Sequence, residues 1–409
     1  MSQFRAKRLD LSCFINVRVL RDHTKRKVFE QYETERFAGM LASKFVHYPE
    51  FPADLEKLGY YINEKDQIRS IAHPDEEFNF FISKNERVRE MQREALDTCI
   101  RRELSARFEA SGLNVTRLPL DAGPSDPHTP ILTSSNLATA RRLIVYFGES
   151  MQDLGIFAHR IIGQDSIASG SALDFVHAIQ SREGSADTAI VIANLGQLVW
   201  YRRGQRAMTI ASWNALPRRT GVGNPMRIDP VKNRIPGNGN TKEHVQSVFE
   251  EVLGKLARQD AVINLIGLGE GAEEAVGYLE QNWRRWDSKV KAICVGLGFV
   301  WRVGDDIQNE KFIDFWGKRA RAYLIHSEPV ETPLAGRQDL SCNCFSSGES
   351  AFTECIMPRA HKIMLAFFQL VNDIPGYFEA ELDIPRDGDD TSRVVKWETG
   401  IRAESPRAA

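Results

Sequence analysis

The stretch VINLIGLGEGAEEA, residues 262–275, decides how this chain is expected to fold. An apolar run rich in β-branched side chains leads into three glycines at alternate positions, and a helix-forming segment follows. Such a pattern predicts a central parallel strand, a very tight turn and a helix. The function of the protein therefore depends on what this turn carries.

Two kinds of functional site use a strand, a tight turn and a helix in this order. A serine in the middle of the turn makes the G-x-S-x-G nucleophile elbow of an α/β-hydrolase. Gly267, Gly269 and Ala272 also satisfy the loose G-x-G-x-x-G/A pattern of a dinucleotide-binding loop. A third interpretation is a tight structural connection that carries no chemistry.

The surrounding sequence argues against a dinucleotide site. Such a site needs an acidic residue about 20 positions after the glycines, at the end of the next strand, to hold the ribose. Asp287 has nearly this spacing, but it precedes the strand predicted at residues 290–295. That strand runs out at Gly296 without an acid. We therefore expect no nucleotide cofactor.

Composition narrows the functional classes further. The chain has 409 residues, of which 42% are apolar and 26% charged, and its net charge of -2 is unlike that of a uniformly basic nucleic-acid-binding protein. No apolar run approaches the roughly 18 residues of a membrane span, so no membrane partner is expected. Six scattered cysteines favour a reducing compartment over a disulfide framework. Cys342 and Cys344 lack a second ligand pair, so no metal site is predicted.

Strands and helices alternate through most of the chain. Apolar runs predict strands at residues 143–147, 189–193, 262–268, 290–295, 322–325 and 342–345, separated by helical segments. This alternation indicates a mainly parallel sheet with helices on both faces. Short strands at residues 59–62, 67–71 and 78–82 predict an antiparallel meander at the edge of that sheet. A helix at 85–110, a strand at 115–120 and a loop at 122–130 should follow.

The order of these elements is that of an α/β-hydrolase, but the chemical groups are missing. An oxyanion loop belongs after the strand at 143–147, where the chain has Gly148, and an acid belongs after the strand at 322–325, where it has Glu328. A histidine belongs after the last strand, yet none lies between His326 and His361. Without a hydroxyl to attack and an imidazole to take its proton, acyl transfer lacks its first two participants.

Four short motifs resemble the Argonaute-binding protein two family. They are GYYINEK at residues 59–65 with Ile68 and Arg69, AHRII at 158–162 with SGS at 169–171, EHV at 243–245, and SEP at 327–329. The resemblance covers roughly residues 55–371. It implies an α/β-hydrolase-like domain.

The resemblance also implies that the site is degenerate. Family members with an intact elbow have an AHSYG-type turn, which falls on Gly267 to Gly271, with the serine at Gly269. Their oxyanion-side histidine falls on Phe147, and their terminal histidine falls on or near Phe352. Glu328 is the one member of the triad that remains. This chain is therefore expected to be a pseudo-hydrolase without enzymatic activity.

The same family implies a set of partners. It includes the small subunit of the fungal Argonaute siRNA chaperone complex, and its relatives include animal co-transcriptional regulators that contact Argonaute. A related domain is appended to fungal class II histone deacetylases. The resemblance thus implies a binding subunit in small-RNA-directed silencing and heterochromatin formation, in the nucleus, the cytoplasm or both. Argonaute, a chaperone-complex subunit, small RNA and a histone deacetylase complex are the candidate partners.

An alternative is a working serine-type esterase whose catalytic residues are displaced. Ser150 and Ser166 are the candidate substitute nucleophiles, and Cys355 after the last strand is a third. His159 and His244 fall in predicted helical segments, where packing is a simpler role than general base catalysis.

Residues 202–240 interrupt the alternation and are strongly basic. A loop of this length inside a compact domain is usually functional or disordered. The segment has a single acid, Asp229, against eight basic residues: Arg202, Arg203, Arg206, Arg218, Arg219, Arg227, Lys232 and Arg234. This composition predicts either phosphate contacts with RNA or DNA, or a solvated insertion.

The two ends of the chain differ from its middle. FRAKRLDL at residues 4–11 and VRVLRDHTKRKVFE at 17–30 resemble the start of fungal mitochondrial small-ribosomal-subunit proteins of the S-fourteen type. Because the resemblance ends near Arg36, it indicates a shared first exon or a fusion, and a mitochondrial location is not favoured. We assign residues 1–54 to an N-terminal extension, 55–375 to the α/β-hydrolase-like domain and 385–409 to a disordered tail.

Overall fold

The described part of the chain contains a nine-stranded sheet and two separate two-stranded sheets. The computed structural model describes residues 49–218, 226–298, 308–382 and 384. The strands are β1 (Tyr60–Ile62), β2 (Ile68–Ser70), β3 (Leu113–Leu118), β4 (Thr129–Ser134), β5 (Arg142–Phe147), β6 (Thr188–Ile192), β7 (Val199–Tyr201), β8 (Arg206–Met208), β9 (Val262–Leu268), β10 (Val290–Leu297), β11 (Ala320–Leu324), β12 (Pro333–Leu334) and β13 (Asn343–Ser346).

The helices connect these strands and cover the large sheet. They are α1 (Glu86–Ala110), α2 (His159–Gln164), α3 (Ala172–Gln180), α4 (Ile210–Ala215), α5 (Thr241–Ser247), a π-helix (Val248–Leu256), α6 (Glu270–Trp286), α7 (Glu310–Arg319), α8 (Arg337–Leu340) and α9 (Ile356–Asp373). Side-chain caps fix several of the N-termini. The Asn85 side chain accepts from the Arg87 amide, and the Asn240 and Asn309 side chains cap α5 and α7 in the same way.

Contacts group the chain into two units. One comprises Met1–Pro49 and Pro217–Pro225, and the other comprises Glu50–Leu216 and Met226–Ala409. Every strand and helix given above belongs to the second unit. The ribosomal-protein-like residues 1–36, Arg219 and the predicted tail at 385–409 lie outside the described residues.

The strand order of the large sheet is that of the α/β-hydrolase fold. It runs β12-β13-β11-β10-β9-β5-β6-β4-β3, with β9 at the centre. The six strands from β13 to β6 pair in parallel, while β4, β3 and β12 are antiparallel edge strands. The predicted fold class is thereby confirmed. The elbow stretch lies where it was expected, between the central strand β9 and α6.

Both faces of the sheet are buried, which explains why its strands are continuously apolar. On one face Leu265 packs with aromatic side chains of the π-helix and α6, including Phe249 and Trp286. On the other face Ile266 packs with α3 and α9, including Phe175 and Phe367. Two apolar cores of this size stabilise the sheet chiefly through the hydrophobic effect.

The predicted antiparallel meander does not form the edge of the large sheet. Residues 78–82 do not form a third strand, because Phe78 is buried against Tyr60 with ring centroids 4.8 Å apart. β1 and β2 pair with each other and form a separate sheet, so they do not extend the large one. The antiparallel edge is instead made by β3 and β4, and β4 begins at Thr129, inside the segment predicted to be a loop.

The basic segment is also more ordered than predicted. It contains β8 and α4, and β8 pairs with β7 in a hairpin. The buried His244 links the C-terminal end of the basic segment to the loop after β6. His244 Nε2 accepts from the Asn194 amide at 3.0 Å, and its Nδ1 donates to Asn238 Oδ1 at 2.7 Å. Burial lowers the pKa of His244 to about 3, so the imidazole is neutral and packs as the sequence indicated.

Among the described residues, we find no helix that combines the length and the apolar character needed to cross a membrane.

Candidate functional site

The turn between β9 and α6 has the geometry of a nucleophile elbow. Gly269 has φ 51° and ψ -124°, and its amide donates to Gly296 O at 2.9 Å. This conformation is costly for a residue with a side chain, and it is the kind of sharp strand-to-helix turn on which hydrolases place their nucleophile. Glycine adopts it without the steric cost.

The glycines on either side of Gly269 are required by close packing. A Cβ on Gly267 would lie 2.5 Å from Ala272 Cα. A Cβ on Gly271 would lie 2.3 Å from Gly148 O and 2.6 Å from Phe147 O. Because these obstacles are backbone atoms or a short side chain on a helix, they cannot move aside cheaply. Both positions therefore exclude any side chain, whatever the chemistry of the site.

At Gly269 itself the obstacle is a carboxyl group. A Cβ at this position would lie 2.6 Å from Glu149 Oε1 and 3.0 Å from Glu149 Cγ. The side chain of Glu149 thus occupies the space where a nucleophile would begin. This role of Glu149 was not predicted from the sequence.

The environment of Glu149 is unfavourable for a negative charge. Burial raises the pKa of its carboxyl to about 7, and the carboxylates of Glu354 and Glu270 contribute to the rise. Among the described residues no lysine or arginine forms an ion pair with it. Near neutral pH the group therefore exists in both protonated and ionised forms.

The side chain of Gln152 forms hydrogen bonds with the oxyanion loop and its neighbours. Gln152 Oε1 accepts from the Glu149 amide at 3.2 Å and from the Tyr146 hydroxyl at 3.1 Å. Gln152 Nε2 donates to Phe157 O at 2.7 Å. In active hydrolases a loop amide of this kind helps to bind the oxyanion. Here the Glu149 amide already has an acceptor.

Phe147 ends β5 and turns away from the loop. It is fully buried, and its ring stacks on Phe249 at 5.5 Å between centroids. Behind the loop lies a cavity of ≈ 10 Å³, lined by Gly148, Glu149 and Gln152 among others. That is about the room one water molecule needs, far less than an acyl group.

The acid and histidine positions lie on exposed loops at the same end of the sheet. Glu328 is exposed, and its amide donates to His326 Nδ1 at 3.2 Å. Phe352 is 41% exposed, and the Arg160 guanidinium lies 3.9 Å from the centroid of its ring. This cation–π contact gives the phenylalanine a structural partner at the position predicted for the histidine.

The three candidate substitute nucleophiles, Cys355, Ser166 and Ser150, differ in burial and in hydrogen bonding. Burial raises the pKa of the Cys355 thiol to about 12, and Glu354 and Glu349 add to the effect, so the thiolate is disfavoured. The Ser166 hydroxyl is hydrogen-bonded to the Ser169 hydroxyl at 2.6 Å. Ser150 is half-buried on the oxyanion loop.

A buried charged cluster near the oxyanion loop was missed by the sequence analysis. His159 Nδ1 lies 3.2 Å from Asp97 Oδ1, and its Nε2 lies 3.8 Å from Asp153 Oδ2. Arg101 bridges Asp153 at 2.9 Å and Glu94 at 2.6 Å. Because these residues come from α1, the oxyanion loop and α2, no local motif signals that they meet.

The same cluster has the donor set of a metal site. Ligand atoms of Asp97, Asp153 and His159 all lie within 4.8 Å of one another. Burial alone would lower the pKa of His159, but Asp97 and Asp153 raise it overall. His159 and Arg101 both lie against the two carboxylates, and a bound metal ion would have to compete with both.

The basic residues of the segment at 202–240 do not form one free surface. Arg206 pairs with Glu94 at 3.6 Å, Lys232 with Asp229 at 3.7 Å and Arg234 with Glu243 at 2.6 Å. Arg218 belongs to the other unit, and Arg219 is outside the described residues. Arg202, Arg203 and Arg227 are exposed and have no carboxylate partner among the residues that the structure describes.

Two solved structures have folds similar to that of this chain. One is a dienelactone hydrolase-like promiscuous phosphotriesterase from metagenomic libraries, at 10% identity, covering 66% of this chain and 100% of that chain with a TM-score of 0.31. Another is carboxyl esterase 2 of the mycorrhizal fungus Tuber melanosporum, at 10% identity, covering 64% and 89% with a TM-score of 0.33.

The N-terminal resemblance is confirmed by a curated protein. The small ribosomal subunit protein uS14m of Neurospora crassa is 71% identical over 38 residues, which is 9% of this chain. The chain spans about a third, 34%, of the length of that relative.

The family assignment concerns the rest of the chain. A family model described as the Arb2 domain matches residues 51–330, which is more than half of the 409 residues. The match includes β1, the elbow and Glu328, where the sequence motifs had indicated this family. The chain therefore belongs to the Arb2 domain family.

Proposed function

We propose that this protein is a non-catalytic adaptor of small-RNA-directed gene silencing and heterochromatin formation, which binds an Argonaute protein within an siRNA chaperone complex. The observation that carries the proposal is the Glu149 carboxyl group in the space beside Gly269, 2.6 Å from where a nucleophile's Cβ would lie. The Arb2 family assignment supplies the biological context. Nuclear or cytoplasmic location follows from that context.

The chemistry of the site supports an adaptor over an enzyme. General-base activation of a nucleophile needs the two groups within hydrogen-bond reach of each other. Gly269 has no nucleophile, and Phe352 has a guanidinium on its ring where a base should be. The amide of Glu149 already donates to Gln152 Oε1, so this donor of the oxyanion loop is occupied as well.

Exposed apolar side chains mark the rim of the closed elbow as a binding surface. Met151, two residues after Glu149, is 82% exposed. Phe352, two residues before Glu354, is 41% exposed. The carboxylate of Glu354 helps to raise the pKa of Glu149, which indicates that the two loops lie close together. We assign the Argonaute-binding surface to this rim, because exposed apolar groups at an edge that no longer admits substrate favour a protein partner.

A serine-directed fluorophosphonate probe tests whether the protein is an enzyme. We expect no labelling of the wild-type protein, because Gly269 carries no hydroxyl at the nucleophile position. An active serine esterase, labelled in parallel, controls for the probe. Labelling of the wild type that is lost in Ser150→Ala or Ser166→Ala would identify a displaced nucleophile and contradict the proposal.

Capture of Argonaute tests the proposed partner. A tagged full-length chain should co-purify Argonaute from an extract of its source organism, as identified by mass spectrometry. Met151→Asp and Phe352→Asp should each reduce the captured Argonaute at least fivefold, because they put a charge on the apolar rim. Phe81→Asp, at an equally exposed site on the N-terminal segment (81% exposed), is the matched control.

The outcome of the capture experiment also separates the alternatives. Recovery of a histone deacetylase without Argonaute would replace the proposed partner by the deacetylase complex. Equal loss of Argonaute in the rim variants and in Phe81→Asp would refute the assignment of the rim.

The proposed contact for small RNA is made by Arg202 and Arg203, between β7 and β8, together with Arg227. We expect the triple variant, which combines Arg202→Gln, Arg203→Gln and Arg227→Gln, to weaken binding of a small-RNA duplex. The salt dependence should become shallower, by about 0.7–0.9 in the log–log slope for each phosphate that the variant no longer neutralises. Lys232→Gln is the control, because this lysine is already paired with Asp229. Unchanged affinity and slope in the triple variant would make the segment a solvated insertion.

A further inference from the structure

Two aspartates and a histidine meet in the interior where α1, the oxyanion loop and α2 come together. Asp97 is 7% exposed, Asp153 is 5% exposed, and the side chain of His159 is 14% exposed. One ligand atom from each of the three residues lies within 4.8 Å of the other two. Atoms that bind one metal ion at about 2.0–2.2 Å are roughly 3–4 Å apart. Small rotations of these side chains therefore suffice to bring all three onto one ion.

Asp97 carries a buried oxygen atom that the protein does not satisfy. Its Oδ1 accepts no hydrogen bond from any residue that the structure describes, although His159 Nδ1 lies 3.2 Å away. The Arg93 guanidinium lies 3.7 Å from the other oxygen, Oδ2, and its side chain is 52% exposed. A carboxylate oxygen buried without a donor is unfavourable unless a cation binds it. Asp97 Oδ1 faces His159 and so points to a ligand inside the cluster.

The hydrogen bonds of Asp153 hold its carboxylate in a fixed orientation. Its Oδ1 accepts from Gln197 Nε2 at 2.8 Å, and its Oδ2 accepts from Arg101 at 2.9 Å. Gln197 is fixed in turn, because Asn194 Nδ2 donates to Gln197 Oε1 at 2.8 Å. Carboxylates that bind metal ions are commonly oriented by hydrogen bonds of this kind. Since a carboxylate oxygen can accept twice, Asp153 Oδ2 can still bind an ion beside Arg101.

The charges buried around the cluster do not balance. Three carboxylates there are buried or half-buried: Glu94, Asp97 and Asp153. Arg101, with a side chain 15% exposed, compensates one of them. Arg93 and Arg206 approach from the surface at 3.7 and 3.6 Å, where water screens their charges. A protonated His159 would supply one of the two positive charges still needed, whereas a divalent cation beside a neutral imidazole supplies both.

We propose that Asp97, Asp153 and His159 bind a divalent transition-metal ion, for which Zn²⁺ fits the donor set. Imidazole with carboxylates suits zinc, whereas Mg²⁺ and Ca²⁺ take ligand sets made of oxygen. The ion competes with the proton of His159 and not with its ring, because a deprotonated ring nitrogen becomes a ligand. Arg101 keeps Glu94 as its partner at 2.6 Å. The ion ties the oxyanion loop to α1 and α2, and this role does not depend on the proposed function.

Titration of the full-length protein with Zn²⁺, after treatment with EDTA and its removal, tests the site. We expect calorimetry to show a saturable site for one ion per chain, and the melting temperature to rise with Zn²⁺ concentration. Mg²⁺ and Ca²⁺ should bind this site at least a hundredfold more weakly, because imidazole is a poor ligand for both. Failure of Zn²⁺ to bind saturably, or equally tight binding of Mg²⁺, would overturn the proposal.

Variants of the cluster locate the bound ion. Asp97→Asn and His159→Gln should each weaken Zn²⁺ binding at least tenfold, because each removes one ligand. His73→Gln is the matched control, since His73 is an exposed histidine outside the cluster. Circular dichroism of the metal-free variants reports whether the fold is kept. Zn²⁺ affinity that is the same in a folded cluster variant as in His73→Gln would place the ion elsewhere and overturn the proposal.

X-ray absorption of the zinc-loaded wild-type protein decides the question even if a cluster variant does not fold. At the zinc edge we expect the scattering pattern of one imidazole, with nitrogen and oxygen ligands at about 2.0–2.2 Å. Co²⁺ in place of Zn²⁺ should show no sulfur-to-metal charge-transfer band. Sulfur ligands at about 2.3 Å would mean that cysteines bind the ion, and this result would contradict the proposed site.

Discussion

The arrangement of the elbow depends on a contact between two backbones. The start of α6 lies against the residues that follow β5, so closely that a Cβ on Gly271 would lie 2.3 Å from Gly148 O. β5 and β9 are neighbours in the sheet, with Phe147 opposite Gly267, and this register brings the two strand ends together. The contact places the oxyanion loop beside the elbow. As a result, the Glu149 side chain lies next to Gly269.

This contact explains how the elbow keeps its geometry with a glycine at its centre. Gly271 is needed for packing, because its obstacles are backbone oxygens, and in this chain a Cβ on Gly267 would meet Ala272. Gly269 is different, because its obstacle is a side chain and not the backbone. With no side chain on the central residue, the Glu149 carboxyl fills the space, and its partly buried position raises its pKa to about 7, so the protonated and ionised forms coexist near neutral pH. Phe147 and Phe352 then pack against Phe249 and Arg160.

Much of the fold could be predicted from the sequence, because its signals are local. The run at 262–268 is apolar on both faces, and the glycines and the following helix mark the turn. The errors arose where local signals were weak or ambiguous. β4 begins beside Pro130 in a segment rich in turn residues, yet it pairs with β3 and β6. Residues 78–82 have the composition of a strand, but Phe78 is held by tertiary packing against Tyr60.

The candidate site was less predictable, because its defining features are contacts between distant residues. Glu149 and Gly269 are far apart in sequence, and no spacing rule places one beside the other. The same holds for His159 with Asp97. For the basic segment, the sequence showed the charges but not which of them are neutralised by Glu94 and Glu243.

The central claim is that Glu149 occupies the position of the nucleophile, and a double-mutant cycle in urea unfolding tests it most directly. Gly269→Ala adds the Cβ that would clash with Glu149, and Glu149→Ala removes the obstacle. We predict a coupling free energy of about 1 kcal/mol or more, with Gly269→Ala less destabilising when Glu149 is absent. Gly277→Ala in α6, where a Cβ would meet nothing within 4 Å, should be additive with Glu149→Ala. Additivity of Gly269→Ala and Glu149→Ala within about 0.5 kcal/mol would contradict the account.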